Sequence, residues 1–320
     1  MNRDAVLIIG AGLMGSGIAS RAALAGHKTV LYDIDDARTQ SGKQSALDCI
    51  EELLLHELVS YSDAERARHL IDTESNLENA CESAEYVIEA IIEDLGVKQE
   101  LFAKLDELLP PEVLLLSNTS GLRITDIAGK MKNYPERALT AHFWFPGHLV
   151  PLVEVVIGEK SDPKHADTIK ELLLLWGKAP VIVKRDLPGQ LANRILQSVI
   201  REAVSIVEIG LCDAEDVDTA IKMGMGIRLP VWGPLEHVDA VGLDLCRNVQ
   251  ATVLADICAE KHPSKLFDEK VASGDLGAKS GRGFYDWSVK SMPNLADKRN
   301  RFIIEALKFH KAEEKADKYN

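Results

Sequence analysis

The sequence predicts an α/β fold in two parts, an N-terminal doubly wound sheet carrying a projecting helical hairpin and a C-terminal all-α domain. Three observations predict it. A glycine-rich turn follows an apolar run in the first ten residues, short apolar runs alternate with helical periodicity up to about residue 186, and strand signals fade from Pro188 onward. At 320 residues the chain exceeds one ordinary domain, so two sizeable cores are the natural expectation.

The elements follow in order. Ala5–Ile9 is a short, continuous apolar run ending in glycine, the pattern of a strand buried on both faces of a parallel sheet. A helix starts near Leu13. Lys28–Tyr32 reads as the second strand, and Tyr86–Ala90, Val113–Ser117, Arg137–Ala141 and Leu152–Val156 as later ones, with helical patterns such as Val97–Leu109 between them. Residues 36–71 break this rhythm, because Leu47, Ile50, Leu53, Leu54, Leu58 and Leu70 recur at helical spacing over a segment too long for one crossover helix. A helical hairpin is expected there. After Pro188, Ala192–Ile209, Asp213–Met223 and Leu243–Ala259 read as helices, and beyond Trp287 a polar stretch precedes one more amphipathic helix carrying Phe302, Ile303, Ala306, Leu307 and Phe309. The predicted division is therefore a sheet domain over 1–186, a helical domain over 187–288, and a polar linker with a tail helix over 289–320.

Composition narrows the function. The chain is 46% hydrophobic and 27% charged, as in soluble globular proteins, and its net charge of −13 would repel nucleic acid or anionic lipid over most of the surface. Small acidic substrates stay open, since a local basic pocket can override the global field. The five cysteines are scattered, odd in number and without metal-type spacing, which reads as reduced thiols and no metal site. No apolar run approaches membrane-spanning length and no leader pattern precedes the first strand, so a cytoplasmic protein is expected.

The chemistry starts at Gly10-Ala-Gly12-Leu13-Met14-Gly15, a GxGxxG placed between a strand and a helix. In a Rossmann-type domain the first glycine permits the tight turn, the second lets the backbone approach a pyrophosphate, and the third allows close helix-to-strand packing. The phosphates would sit at the helix N-terminus, where unpaired N–H groups favour anions. Asp33 ends the second strand, where its carboxylate can accept from both ribose hydroxyls and repel a 2′-phosphate, favouring NAD over NADP. A glycine-rich turn of a flavodoxin-like fold is the competing reading, and the Asp33 spacing argues against it.

Farther along, His142 closes a strand and Glu154 is the lone carboxylate of the next, otherwise apolar one. A buried unpaired carboxylate is costly, and an imidazole partner would relieve it while gaining a fixed tautomer and a stabilised imidazolium. Taken alone, the two are as readily a satisfied core histidine and a glutamate on a water-facing edge.

Together these segments resemble the L-3-hydroxyacyl-CoA dehydrogenase family, including its carnitine and L-gulonate 3-dehydrogenase relatives, over nearly the whole chain. The resemblance is carried by the fingerprint, Ser117-Asn-Thr-Ser120, the stretch from His142 to Glu154, Asp186-Leu-Pro-Gly-Gln-Leu-Ala-Asn193-Arg, Gly233-Pro-Leu-Glu236 and Lys279-Ser-Gly-Arg-Gly-Phe-Tyr285. It implies NAD as cofactor and interconversion of a (3S)-hydroxyacyl substrate, a short-chain CoA thioester, with its 3-keto form. The same chemistry on a small free 3-hydroxy acid, and a non-catalytic NAD-binding structural protein, are the alternatives. His142 would be the general base, Glu154 its partner, and Ser120 and Asn193 hydrogen-bond donors to the reacting oxygen. Glu93, Lys98, Asn118 and Lys279 would contact the cofactor. The residues themselves leave plainer roles open, a turn hydroxyl for Ser120, a helix-start cap for Asn193, and solvated charges for Lys98 and Lys279.

Departures bear on the substrate. Phe145 stands where the family has an asparagine, and Gly121 where it has a second serine, as in the relatives that do not use CoA. Arg228 precedes the Gly233-Pro element and could pair a substrate carboxylate through its planar fork, or equally cap a helix end. Between Asp36 and Leu70, Arg38, Lys43, Arg66 and Arg68 face Asp36, Asp48, Glu51, Glu52, Glu57, Asp63 and Glu65, a poor host for a CoA tail. Gly242-Leu-Asp244 and the segment from Lys279 to Tyr285 look more like the CoA branch. Apolar helix faces in excess of one small site predict a homodimer through the helical domain.

Overall fold

The computed structural model describes residues 3–317; the outer ends of the predicted domain spans, 1–2 and 318–320, lie outside the described residues. Eight strands form one sheet in the order β3-β2-β1-β4-β5-β6-β7-β8. They are β1 (Ala5–Ile9), β2 (Lys28–Tyr32), β3 (Ile71–Glu74), β4 (Ala84–Glu89), β5 (Leu114–Ser117), β6 (Ala138–Phe143), β7 (Leu152–Ile157) and β8 (Ala179–Val183). All neighbours pair parallel except β6 and β7. The first strand runs beside both β2 and β4, so the chain order reverses at β1, and a ligand cleft is expected at the carboxyl ends of the strands there.

Within this sheet unit the helices are α1 (Leu13–Leu24), α2 (Asp36–Leu55), α3 (Tyr61–Arg68), α4 (Leu77–Cys81), α5 (Leu95–Leu108), α6 (Ile124–Ile127) and α7 (Pro163–Leu175). Two apolar clusters sandwich the sheet. One joins Ile8, Ile18, Leu31, Leu116 and Leu139 to the helices α1, α2 and α7, and the other joins Leu7, Val87 and Leu115 to Phe102 and Leu105 of α5. The hairpin forms as α2 and α3, and its buried residues Thr39, Gly42, Ala46, Ile50 and Leu53 anchor α2 along its length. Gly42 is required there: a Cβ on it would lie 2.5 Å from the Ala11 methyl in the fingerprint turn.

The second unit is helical, with most of α8 (Ala192–Glu208), then α9 (Ala214–Ala220), α10 (Pro234–Val241), α11 (Leu243–Val253), α12 (Lys265–Ala272) and the first part of α13 (Met292–Asp317). The helix expected over 213–223 passes into a π turn, Ile221–Met225, and that expected over 243–259 stops at Val253.

Two boundaries differ from the sequence division. Residues up to Asn193 pack as part of the sheet unit, because Leu191 and Ala192 donate their backbone N–H groups to Glu154 and Gln190 donates to the Thr119 carbonyl. Residues 303–317 also belong to the sheet unit, and Ile304 is 1% exposed in its core. The helical unit, Arg194–Phe302, is thus an insertion between two pieces of the first.

Candidate active site

The fingerprint turn is built by three glycines with three different jobs. Gly10 has φ +105°, and a Cβ there would lie 2.6 Å from the Ala90 carbonyl oxygen. A Cβ on Gly15 would lie 1.8 Å from the Gly10 carbonyl oxygen, so α1 can cross the end of β1 this closely only as glycine. A Cβ on Gly12 would meet nothing within 4 Å. That open space lies at the N-cap of α1, which has no side-chain cap, so the first-turn N–H groups are left for an anion. Leu13 and Met14 follow, the former exposed and the latter half-buried. Asp33 braces the turn by accepting from Ala11 N at 2.9 Å and Ile34 N at 2.8 Å. Arg38 lies 3.9 Å from Asp33 and 3.3 Å from Asp35.

Next to this turn, the ends of β4 and β5 carry a buried ionic cluster. Glu89 is wholly buried and accepts from Lys98 Nζ at 2.5 Å, Ser117 Oγ at 2.6 Å and Ile91 N at 2.7 Å. Lys98 is buried as well and reaches Glu93 at 3.4 Å, so the solvated-charge reading of Lys98 is corrected. Glu93 in turn accepts from Thr119 Oγ1 at 2.6 Å, Ser120 N at 2.9 Å and Gly121 N at 3.0 Å. Partial burial pushes the Glu93 carboxyl up, but Thr119, Gly121, Lys98 and Ser120 together hold it below the usual range. Asn118 Oδ1 accepts from Phe143 N at 2.7 Å, tying the exit of β5 to the end of β6. Ser120 is exposed in the loop so formed.

His142 and Glu154 are directly opposed in the antiparallel pair β6–β7. Their side chains meet through His142 Nδ1 and Glu154 Oε2 at 2.8 Å. Glu154 is wholly buried and also accepts from Trp144 Nε1 at 2.9 Å, Leu191 N at 2.9 Å and Ala192 N at 2.8 Å. Burial pushes this carboxyl up, and the donors outweigh it, led by His142 and Trp144, leaving it lowered to about 2. An ionised carboxylate only accepts, so Nδ1 must be the protonated ring nitrogen and Nε2 the open one. Nε2 has no hydrogen-bond partner among the described residues. The edge-strand reading of Glu154 is thereby corrected.

Asn193 directly follows Ala192, so the carboxylate that holds His142 also holds the residue before Asn193. Phe145, three residues after His142, is 50% exposed. Arg228 and Lys279 belong to the helical unit and are exposed in it, Lys279 in a single turn over Ala278–Ser280.

Known proteins similar to this chain identify its family. Residues 5–187 match the family model for the 3-hydroxyacyl-CoA dehydrogenase NAD binding domain, and residues 189–287 match its C-terminal domain. The chain belongs to the 3-hydroxyacyl-CoA dehydrogenase family. Among its relatives, a 5-formyl-3-hydroxy-2-methylpyridine 4-carboxylate 5-dehydrogenase of Mesorhizobium japonicum is 32% identical over 93% of this chain and 96% of its own. A probable 3-hydroxybutyryl-CoA dehydrogenase of Bacillus subtilis is 36% identical over 89% of this chain and 98% of its own. A crystal structure of the first kind of enzyme, described as an NAD+-dependent dismutase, superposes with TM-score 0.87 at 31% identity, covering 95% of this chain and 97% of the other.

This dehydrogenase is therefore an NAD-dependent oxidoreductase, and its turn after β1 fits that cofactor: open space at Gly12, uncapped N–H groups, and Asp33 at the end of β2. Two site components escaped the sequence reading. Glu89 carries the same signal that singled out Glu154, one carboxylate in an apolar strand. Trp144 carries no such signal, because an indole beside a strand end reads as packing.

Proposed function

We propose that the dehydrogenase interconverts a (3S)-hydroxyacyl substrate and its 3-keto form, with a short-chain 3-hydroxyacyl-CoA thioester as the substrate class. The observation that carries this reading is the His142–Glu154 pair, a histidine with Nδ1 held by an ionised carboxylate and Nε2 open. Bound NAD would supply the hydride acceptor for the carbinol carbon. His142 Nε2 takes the hydroxyl proton at the same step, and the ionised Glu154 stabilises the imidazolium that results. Ser120 and Asn193 hydrogen-bond the reacting oxygen and hold it beside the base. Gly10, Gly12, Leu13, Met14 and Gly15 would hold the pyrophosphate and Asp33 the adenosine ribose, and Glu93, Lys98, Asn118 and Lys279 would be further cofactor contacts.

A second reading, the same chemistry on a small free 3-hydroxy acid without CoA, is favoured by the hairpin. Arg66 pairs with Asp63, Arg68 with Glu51 and Glu65, and Arg38 with Asp35, so three of its cations are already engaged by carboxylates. In that reading Arg228 takes the substrate carboxylate. One substrate panel separates the two. Oxidation of NADH by acetoacetyl-CoA, with carnitine, gulonate and 3-hydroxybutyrate inert, supports the thioester; turnover of a free acid with acetoacetyl-CoA inert reverses the assignment. His142→Gln should abolish turnover while NADH binding stays nearly intact, and loss of both together would remove the role given to His142.

The same reading includes a cytoplasmic homodimer. Its location rests on the odd, scattered cysteines, and its assembly on exposed apolar side chains of the helical unit such as Ile195, Ile209 and Leu211. Sedimentation as a monomer at micromolar concentration would contradict the dimer.

A further inference from the structure

Arg21, in the last turn of α1, and Lys178, immediately before β8, line one cavity of about 720 Å³ that includes no residue of the fingerprint turn or of the His142–Glu154 pair. The two cations are neighbours, since a Cβ on Gly177 would lie 2.7 Å from Arg21 Nη2. Both are spent on neutral carbonyls. Arg21 donates to Trp176 O, and Lys178 donates to Gly147 O at 2.5 Å and Val150 O at 2.8 Å. Arg21 Nε is buried with no partner, Lys178 is 5% exposed, and neither forms an ion pair among the described residues. Buried cations are ordinarily paired, and two unpaired ones side by side repel. Burial and the Arg21 charge accordingly hold the Lys178 ammonium well below its usual range, and burial lowers Arg21 to about 10.

The remaining charged groups around the cavity leave the excess positive. Lys311 adds a third cation, Glu313 is exposed at the rim, His148 is already paired with Glu52 at 2.8 Å, and His310 completes the set. The same cavity is lined by leucines, including Leu53, Leu149 and Leu307. The volume lies in the range of small-molecule sites, roughly 300–1,000 Å³. Neighbouring cations and several leucines lining one cavity suit a molecule that carries both a negative group and an apolar chain.

We propose that this cavity binds a small amphiphilic anion, a carboxylate or phosphate monoester on an apolar chain, with its head group on Arg21 and Lys178 and its chain along Leu53, Leu149 and Leu307. Calorimetric titration of the full chain with octanoate, octyl phosphate and inorganic phosphate tests it. At least one of the two amphiphiles should bind saturably at one site per chain, and the tighter of them identifies the head group; inorganic phosphate should bind roughly tenfold more weakly or less. Arg21→Met should weaken the amphiphile roughly tenfold, the worth of one charge-assisted hydrogen bond. Should Arg21→Met fail to fold, Leu307→Glu serves the same purpose by putting a carboxylate in the path of the chain. His142→Gln and saturating NADH should leave the titration unchanged. No saturable binding of either amphiphile, binding unaltered by both substitutions, inorganic phosphate as tight as the amphiphiles, or displacement by NADH would each overturn the proposal.

Discussion

Replacing Glu154 by glutamine changes one atom and tests the whole arrangement around the base. The carboxylate accepts four hydrogen bonds, two on each oxygen: His142 and Trp144 on one, Leu191 and Ala192 on the other. A glutamine has one oxygen and one NH2, so two donors must face a donor whichever way it turns. If the NH2 faces Leu191 and Ala192, the start of α8 loses its anchor. If it faces His142, the imidazole must present an unprotonated Nδ1 to accept, which moves its proton to Nε2 and removes the base. Two buried donors left unpaired cost about 1–3 kcal/mol each. The carboxyl itself is lowered from 4.5 to about 2, which at about 1.4 kcal/mol per unit corresponds to on the order of 3 kcal/mol, in line with that range. The sign follows from the depressed folded value: this stability is fully present above the unfolded value of 4.5 and is lost as pH falls toward about 2. Urea unfolding should therefore show Glu154→Gln about 3 kcal/mol less stable than wild type at neutral pH, with the gap closing as acid is added. Turnover should fall by on the order of 10²- to 10⁴-fold. A variant of unchanged kcat, or a stability gap that does not narrow in acid, would refute this account of the carboxylate.

Two further predictions follow from packing. Gly15→Ala should cost about 3 kcal/mol or more of stability through its overlap with Gly10, whereas Gly12→Ala should leave stability within about 0.5 kcal/mol yet weaken NADH roughly tenfold by fluorescence titration. Normal NADH affinity in Gly12→Ala would mean that the pyrophosphate does not approach there. Lys98→Met strips the cation from the wholly buried Glu89 and should destabilise by about 3–5 kcal/mol in urea, most of it recovered when Glu89→Gln is added; a cost that the double variant does not reduce would refute the pairing.

How legible the fold was depends on where each strand lies. The strands β1, β2, β4, β5, β6 and β7 all read from the sequence, and all lie inside the sheet. The two it missed, β3 and β8, are its edges. Ile71-Asp-Thr-Glu74 needs no apolar run because one side has no partner strand, and Pro180 is tolerated in β8 for the same reason. In the site, His142 and Glu154 were legible as chemistry, and the register that opposes them was not. A solvated Lys98 stayed open beside the cofactor contact because a lysine at the start of an amphipathic helix looks exposed, and only the fold brings Glu89 to it. The tail helix was legible as amphipathic, but the core that receives Ile304 is built by residues from Val6 to Trp176, beyond any local pattern.

The insertion of the helical unit into the sheet unit sets an order of assembly. A ribosome delivers the sheet first, the helices next, and Ile303 and Ile304 after both, so the core containing Ile8 and Ile18 stays incomplete until more than a hundred further residues have emerged. The nascent first domain must wait with an apolar face uncovered on the α1 side. Its last covering piece arrives on the far end of the same helix, α13, whose first turns belong to the inserted unit, so the helix that closes this core is begun in one unit and finished in the other.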